Sequence, residues 1–336
     1  MKKLFGFSLA VLALTGCGGS GNEESDTLTV YSGREEELVQ PLFERFEQET
    51  GIKVEVRYAD SAELAATIAE EGENSPADVF FAQDPGSLGA VEEQLAKLPS
   101  TVLERVGEPF RDDEGRWVGT SGRARVLVYN TDELSVDEVP DSVFDLTDAK
   151  WKGKVGLPPT NASFQAFVTA MRLDVGDERT KQWLEDLKAN EPKFYEKNTP
   201  TVDAVASGEI QLGLVNHYYL YLVKAEQPDA PIANKYLPGD DPGALVSVAG
   251  AGVLDSSDNA EAAERFVKFL LADEQQRFYT DEAEEAEIPL VAGIDPKEGV
   301  PTLDELAGRG PDVDLSSFGA ELEQTLELLN ETGYTS

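Results

Sequence analysis

The sequence predicts an α/β fold of two lobes, and three observations carry that prediction. Strand-like and helix-like patterns alternate from Thr27 onward, the signature of parallel strands joined by helices. A second alternating series begins after Trp117. The chain has 336 residues, 40% of them hydrophobic, with 29 Gly and 18 Pro, which is the length and composition of two folded domains rather than of an acidic disordered chain.

The first sixteen residues lie outside that fold. Met1-Lys2-Lys3 is a positively charged start, and Leu4 to Leu14 is an apolar run of secretory length, too short for a permanent membrane span. The run ends in Leu14-Thr15-Gly16-Cys17, which resembles the bacterial lipobox, a small-residue cleavage site before a cysteine that takes the lipid. Residues 1–16 are therefore expected to be a lipoprotein signal peptide, Cys17 the lipidation site, and 17–26 a flexible acidic tether. No other stretch approaches eighteen consecutive apolar residues, so membrane contact is expected through the anchor only, on the outer face of the cytoplasmic membrane.

Thr27 to Tyr31 reads as the first strand. Leu38, Leu42, Phe43 and Phe46 recur at helical spacing, and Gly51 supplies a C-terminal stop. Ile52, Val54 and Val56 alternate with Lys53, Glu55 and Arg57 as a second strand; Ala62 to Glu71 is a second helix and Asp78 to Ala82 a short buried strand. Ligands of open α/β sheets sit beyond the carboxyl ends of the strands, so Ser32 to Glu35 and Gln83 to Gly86 should flank a site. In the second series the expected strands are Arg125 to Tyr129, Lys154 to Leu157 and Ile210 to Val215. Helices are expected at Phe164 to Leu173, Glu178 to Ala189 and Val202 to Ser207. Ala244 to Leu254 suits a buried strand, Ala260 to Leu271 and Glu274 to Thr280 suit covering helices, and Phe318 to Leu329 closes the chain as an amphipathic helix. The first lobe is assigned to 27–122 plus about 245–295, and the second to 123–244 plus about 296–336.

Charge narrows the function. The chain carries 28 Lys+Arg against 65 Asp+Glu, a formal charge of −37, and loss of Lys2 and Lys3 with the signal peptide makes it −39. Such an excess repels phosphate backbones and anionic membranes, which excludes nucleic-acid binding by a basic face. It suits high salt, where self-repulsion is screened, and so points to a halophilic source. His217 is the sole imidazole, and no nucleophile elbow, zincin, Walker or dinucleotide fingerprint stands in a strand-turn-helix context. With 65 acidic residues, carboxylate pairs are commonplace, so a carboxylate-dependent hydrolase is the weakest reading and no enzyme is expected. Two exported α/β lobes instead suit a solute-binding protein, of the class II periplasmic type, whose hinge strands let a central cleft close on a ligand.

The strongest local constellation is Asn216-His217-Tyr218-Tyr219-Leu220-Tyr221, directly after the strand ending at Val215. Tyrosines so spaced are ordinary core packing when taken alone; at the carboxyl end of a second-lobe strand they face the cleft. A phenol ionises near pH 10 unless a strong cation lies beside it, and paired phenolates are hard anionic donors suited to a small, highly charged ion such as ferric iron.

The chain resembles the ferric-ion-binding proteins that feed bacterial ABC iron importers. The resemblance rests on Leu28 to Arg34, Ser75 to Phe80, Ser121 to Val126, Trp151 to Gly156, Pro159-Thr160 with Phe164, Lys197-Asn198, Asn216 with Tyr218-Tyr219, and Asp241 to Val246. It implies that Tyr218 and Tyr219 coordinate ferric iron in a transferrin-like cleft. It further implies that Thr160, Asn161, Ala162 and Ser163, with Asn198 and Arg123, hold a synergistic anion, carbonate or phosphate. The residues allow other roles too: Asn161 or Ser163 as a plain helix cap, Asn198 as a cap for a helix near Pro200, and Arg123 as the partner of a carboxylate. Where many family members have a His this chain has Glu35, an acceptable ferric ligand, and where they have a Glu it has Gln83, followed by Asp84. Gln83 is a poor ferric donor and is placed behind the metal ligands; Asp84 either joins it there, reaches the metal in its stead, or is a solvated loop acid. His217 should point away if Tyr218 points in, and is read as structural. The expected protein is a monomer that delivers iron to an ABC permease and its ATPase. The alternative is the same fold binding an anionic small molecule without iron.

Overall fold

A computed structural model describes residues 27–283, 286–306 and 310–335; the signal segment, Cys17 and the tether lie outside the described residues. The strands are β1 (Thr27–Ser32), β2 (Lys53–Tyr58), β3 (Val79–Ala82), β4 (Trp117–Asn130), β5 (Val155–Leu157), β6 (Lys193–Phe194), β7 (Leu212–Asn216), β8 (Ile232–Lys235) and β9 (Val246–Val253). The helices are α1 (Glu36–Thr50), α2 (Ser61–Glu71), α3 (Pro85–Gly89), α4 (Ser100–Leu103), α5 (Ala162–Val175), α6 (Asp177–Ala189), α7 (Asn198–Ala206), α8 (Tyr219–Glu226), α9 (Ala260–Leu270), α10 (Asp273–Asp281), α11 (Leu303–Leu306) and α12 (Phe318–Glu331).

The strands run in the order β2-β1-β3-β9-β4-β7-β5-β6, with β8 also on β4. β1 pairs in parallel with β2 and β3, as the first series requires, and β5 pairs in parallel with β6 and β7. Two antiparallel strands join these parallel groups. β4 pairs with β9 from Trp117 to Ala124 and with β7 from Arg125 to Tyr129, so one strand passes from the first lobe into the second. Its sequence signal was confined to Arg125 to Tyr129, because Gly119, Thr120, Ser121, Gly122 and Arg123 lack apolar alternation. All of β4 is nonetheless buried. Gly119 is needed there: a Cβ would come 2.8 Å from Leu290 Cδ1.

Helix packing follows the apolar faces. α1 buries Leu38, Val39, Leu42, Phe43 and Phe46, and ends at Gly51, whose φ of 78° is the left-handed conformation a glycine adopts most readily. Phe46 meets Phe266 and Phe269 of α9 edge-on, with ring centroids 5.1 and 5.4 Å apart, which fastens α1 and α9 over one sheet face. The C-terminal α12 packs against both α3 and α5, so it touches each lobe.

Candidate ligand cleft

A cavity of about 600 Å³ lies between the lobes. Arg34, Glu35 and Gln83 line it from the ends of β1 and β3, Tyr218 and Tyr219 from the end of β7, and Arg123 from β4 where the lobes meet. These are the segments expected beyond strand carboxyl ends. Tyr218 is buried and Tyr219 half-buried, and their rings lie 4.3 Å apart at 31°. Both stand at the start of α8, where the positive end of the helix dipole favours oxyanions. Glu35 is exposed opposite them, at the head of α1. Gln83 lines the cavity, while its backbone amide donates to Ser61 Oγ at 2.9 Å and its carbonyl accepts from Arg123 Nη1.

Arg123 is committed to a carboxylate, one of the two roles its sequence allowed. Its Nε donates to Glu287 Oε1 at 2.7 Å, and Glu287 Oε2 accepts from Arg34 Nη2 at 2.8 Å and Ser121 Oγ at 2.6 Å. Glu287 is fully buried, which alone would raise its pKa; the charges on Arg34 and Arg123 outweigh burial and hold it at about 2. Sequence reading missed Glu287 and Arg34. Arg34 fell within a segment expected to flank the site, but Glu287 is one of five acids between Asp281 and Glu287, and nothing local singles it out.

The Thr160 to Ser163 loop forms its own cluster beside the cavity, with another arginine. Asn161 Oδ1 accepts from the Ser163 amide at 3.0 Å and hydroxyl at 2.7 Å, capping α5. Asn198 is fully buried and is the first residue of α7; its Nδ2 donates to Asn161 Oδ1 and Ser163 Oγ, both at 3.1 Å. Its side chain therefore reaches the loop instead of capping near Pro200. Thr160 is exposed, with its hydroxyl 3.5 Å from Glu196 O, and Ala162 opens α5. Arg125, not Arg123, reaches this cluster, donating to Ser163 Oγ at 3.3 Å, Asn216 Oδ1 at 3.2 Å and Leu214 O at 2.7 Å. Burial pushes its guanidinium down to about 9, with charge on Tyr219 and Tyr218 acting the other way. The Nε of Arg125 and the Oδ1 of Asn198 are buried without a hydrogen-bond partner among the described residues, so this cluster has one donor and one acceptor to spare.

Asp84 and His217 are each engaged by neighbouring protein groups. Asp84 caps α3, its Oδ1 accepting from the Ser87 amide and its Oδ2 from the Ser87 hydroxyl, each at 2.8 Å. His217 Nδ1 accepts from the Ala124 amide at 3.1 Å, so Nε2 carries the proton and donates to Ala286 O at 3.0 Å. Burial pushes its pKa down to about 4, and with both nitrogens engaged the neutral ring pins the tyrosine turn to β4.

Residues 74–301 match the family described as bacterial extracellular solute-binding protein. The chain is 32% identical to the Fe(3+)-binding periplasmic protein of Serratia marcescens over 97% of this chain and 96% of that one. It is 36% identical to the major ferric iron-binding protein of Neisseria meningitidis serogroup B over 86% and 87% of the two chains. Among solved structures, iron-bound HitA from Pseudomonas aeruginosa superposes with a TM-score of 0.85 at 34% identity, covering 91% of this chain and 99% of that one. The chain therefore belongs to the bacterial extracellular solute-binding protein family.

Proposed function

We propose that this protein is the substrate-binding component of an ABC importer, and that it captures ferric iron between its lobes and hands it to a permease and its ATPase. The observation that carries this reading is the Tyr218–Tyr219 pair, with rings 4.3 Å apart, in one cavity with Glu35 from the opposite lobe. Two phenolates and a carboxylate are hard oxygen donors, the set a ferric ion prefers. Gln83, neutral, is placed as a hydrogen-bond partner of bound water or anion. The named functions of the Serratia, Neisseria and Pseudomonas relatives support the same reading.

The synergistic anion, carbonate or phosphate, is assigned to the Ser163, Asn161 and Asn198 cluster, with Arg125 behind it in the role first given to Arg123. The spare donor there, Arg125 Nε, supports this. Lobes at 27–122 plus about 245–295 and 123–244 plus about 296–336 are joined by β4 and β9 as hinge strands. Cys17 is assigned as the lipid anchor after export, and the protein as a monomer. The mass of the membrane-extracted protein, with or without a diacylglyceryl group, tests the anchor.

The test of iron capture is a visible-absorption titration of residues 27–336 with ferric iron, with and without carbonate or phosphate. A tyrosinate-to-iron charge-transfer band should saturate at one equivalent, vanish in Tyr218→Phe/Tyr219→Phe, and require the anion. In Arg125→Met that anion dependence should weaken. A double variant that keeps full ferric affinity sinks the assignment.

A further inference from the structure

The charges around the cavity bear on which iron species enters it. Carboxylates line it from both lobes: Glu35 and Glu37 on the first, Asp203 of α7 and Glu226 of α8 on the second. Asp203 has its pKa raised by burial and by the charge of Glu226, so those two acids lie within each other's field. Against them stand three cations, and two of these, Arg34 and Arg123, share the single buried carboxylate of Glu287, which cancels one of their two charges. The surplus charge of that triad and Lys197, among the cavity-lining cations of the described residues, leave two positive charges to oppose the four carboxylates. Glu282 also lines the cavity and is answered by Arg45. The opening is thus negative before either tyrosine ionises, and closing the lobes brings the two rows of acid together.

Resting on the iron-binding reading, we propose that this cleft takes up ferric iron as a weakly charged or cationic species and excludes polyanionic ferric chelates, with Glu37, Asp203 and Glu226 as the residues that set this selectivity. A ferric ion arriving with little ligand charge relieves the repulsion across the closing lobes. A multiply negative chelate adds to it, and low-dielectric walls focus that penalty. Exposed charges are screened over about 10 Å at 0.1 M salt and about 3 Å at 1 M, so the discrimination belongs to low ionic strength.

The experiment follows growth of the charge-transfer band by stopped flow, with iron offered as the nitrilotriacetate complex or as the polyanionic dicitrate complex, at 0.1 M and 1 M NaCl. The wild type should load from nitrilotriacetate about tenfold faster than from dicitrate at low salt, a gap of the size electrostatic steering produces. The gap should shrink at high salt. In Glu37→Gln/Asp203→Asn/Glu226→Gln, loading from dicitrate at low salt should rise toward that from nitrilotriacetate, whose own rate stays nearly constant. Equal rates from both sources in the wild type overturn the proposal while leaving iron binding intact. So does a gap that survives both 1 M salt and the triple variant, because it then comes from ligand exchange at citrate. No band from either source overturns the iron reading and this inference with it.

Discussion

At the scale of single residues, the most exacting requirement is Glu287. Its carboxylate holds two arginines that line the cavity, so removing its charge leaves two buried cations facing each other. Glu287→Gln should destabilise the iron-free protein by about 3–5 kcal/mol, the cost of breaking a buried pair from one side. The pH dependence has a definite sign. The folded carboxyl sits well below its ordinary 4.5, so the unfolded chain takes up that proton first as pH falls. This contribution is complete above about pH 4.5 and declines below it until the folded carboxyl itself protonates. Urea midpoints between pH 6 and 3 should therefore fall more steeply for the wild type than for Glu287→Gln; parallel curves would remove the triad from the account. The contrast with Tyr218 and Tyr219 shows what a sequence reveals. The tyrosines are consecutive and follow a strand, so their chemistry is visible locally, whereas Arg34, Arg123 and Glu287 meet only through tertiary structure, 253 positions separating Arg34 from Glu287.

At the scale of elements, Asp84 separates a helix cap from a metal ligand. It precedes Pro85, which begins α3, and both its oxygens are engaged by Ser87. Asp84→Ala should cost about 1–2 kcal/mol, the range for loss of an N-cap, and should leave the ferric charge-transfer band unchanged. A variant that stays stable but loses the band would make Asp84 a ligand. The parallel groups were legible because hydrophobic period and helix stops agree over Thr27 to Ala82. The first half of β4 was not, because a strand buried on both faces and crossing between lobes uses glycine and small polar residues for close approach, which periodicity cannot register. The same limit hid the partner of the anion loop: Arg123 and Arg125 differ by two positions on β4, but the pairing changes from β9 to β7 between them. Their guanidinium groups consequently serve different clusters.

At the scale of the whole molecule, the lobes are joined by β4 and β9 and bridged again by α12, which packs on α3 of one and α5 of the other. Any closure over iron must move α12 relative to at least one of these helices. Its contact with α3 is a backbone approach: a Cβ on Gly319 would lie 2.6 Å from the Ala90 amide nitrogen and closer still to the Gly89 backbone. Gly319→Ala therefore makes opposing demands. In a free helix the change favours folding by up to about 1 kcal/mol, because alanine loses less conformational freedom than glycine. Here the backbone of α3 cannot give way, so α12 must lift off it, and overpacking of this kind costs about 1–3 kcal/mol. A lowered urea midpoint would show that the contact outweighs propensity; a raised one would show that α12 is loosely seated. Small-angle scattering with and without ferric iron then reads the consequence for closure. The wild type should contract on binding iron, and Gly319→Ala should bind iron through the same tyrosines but contract less, because the lifted helix no longer lets the lobes meet at their normal separation.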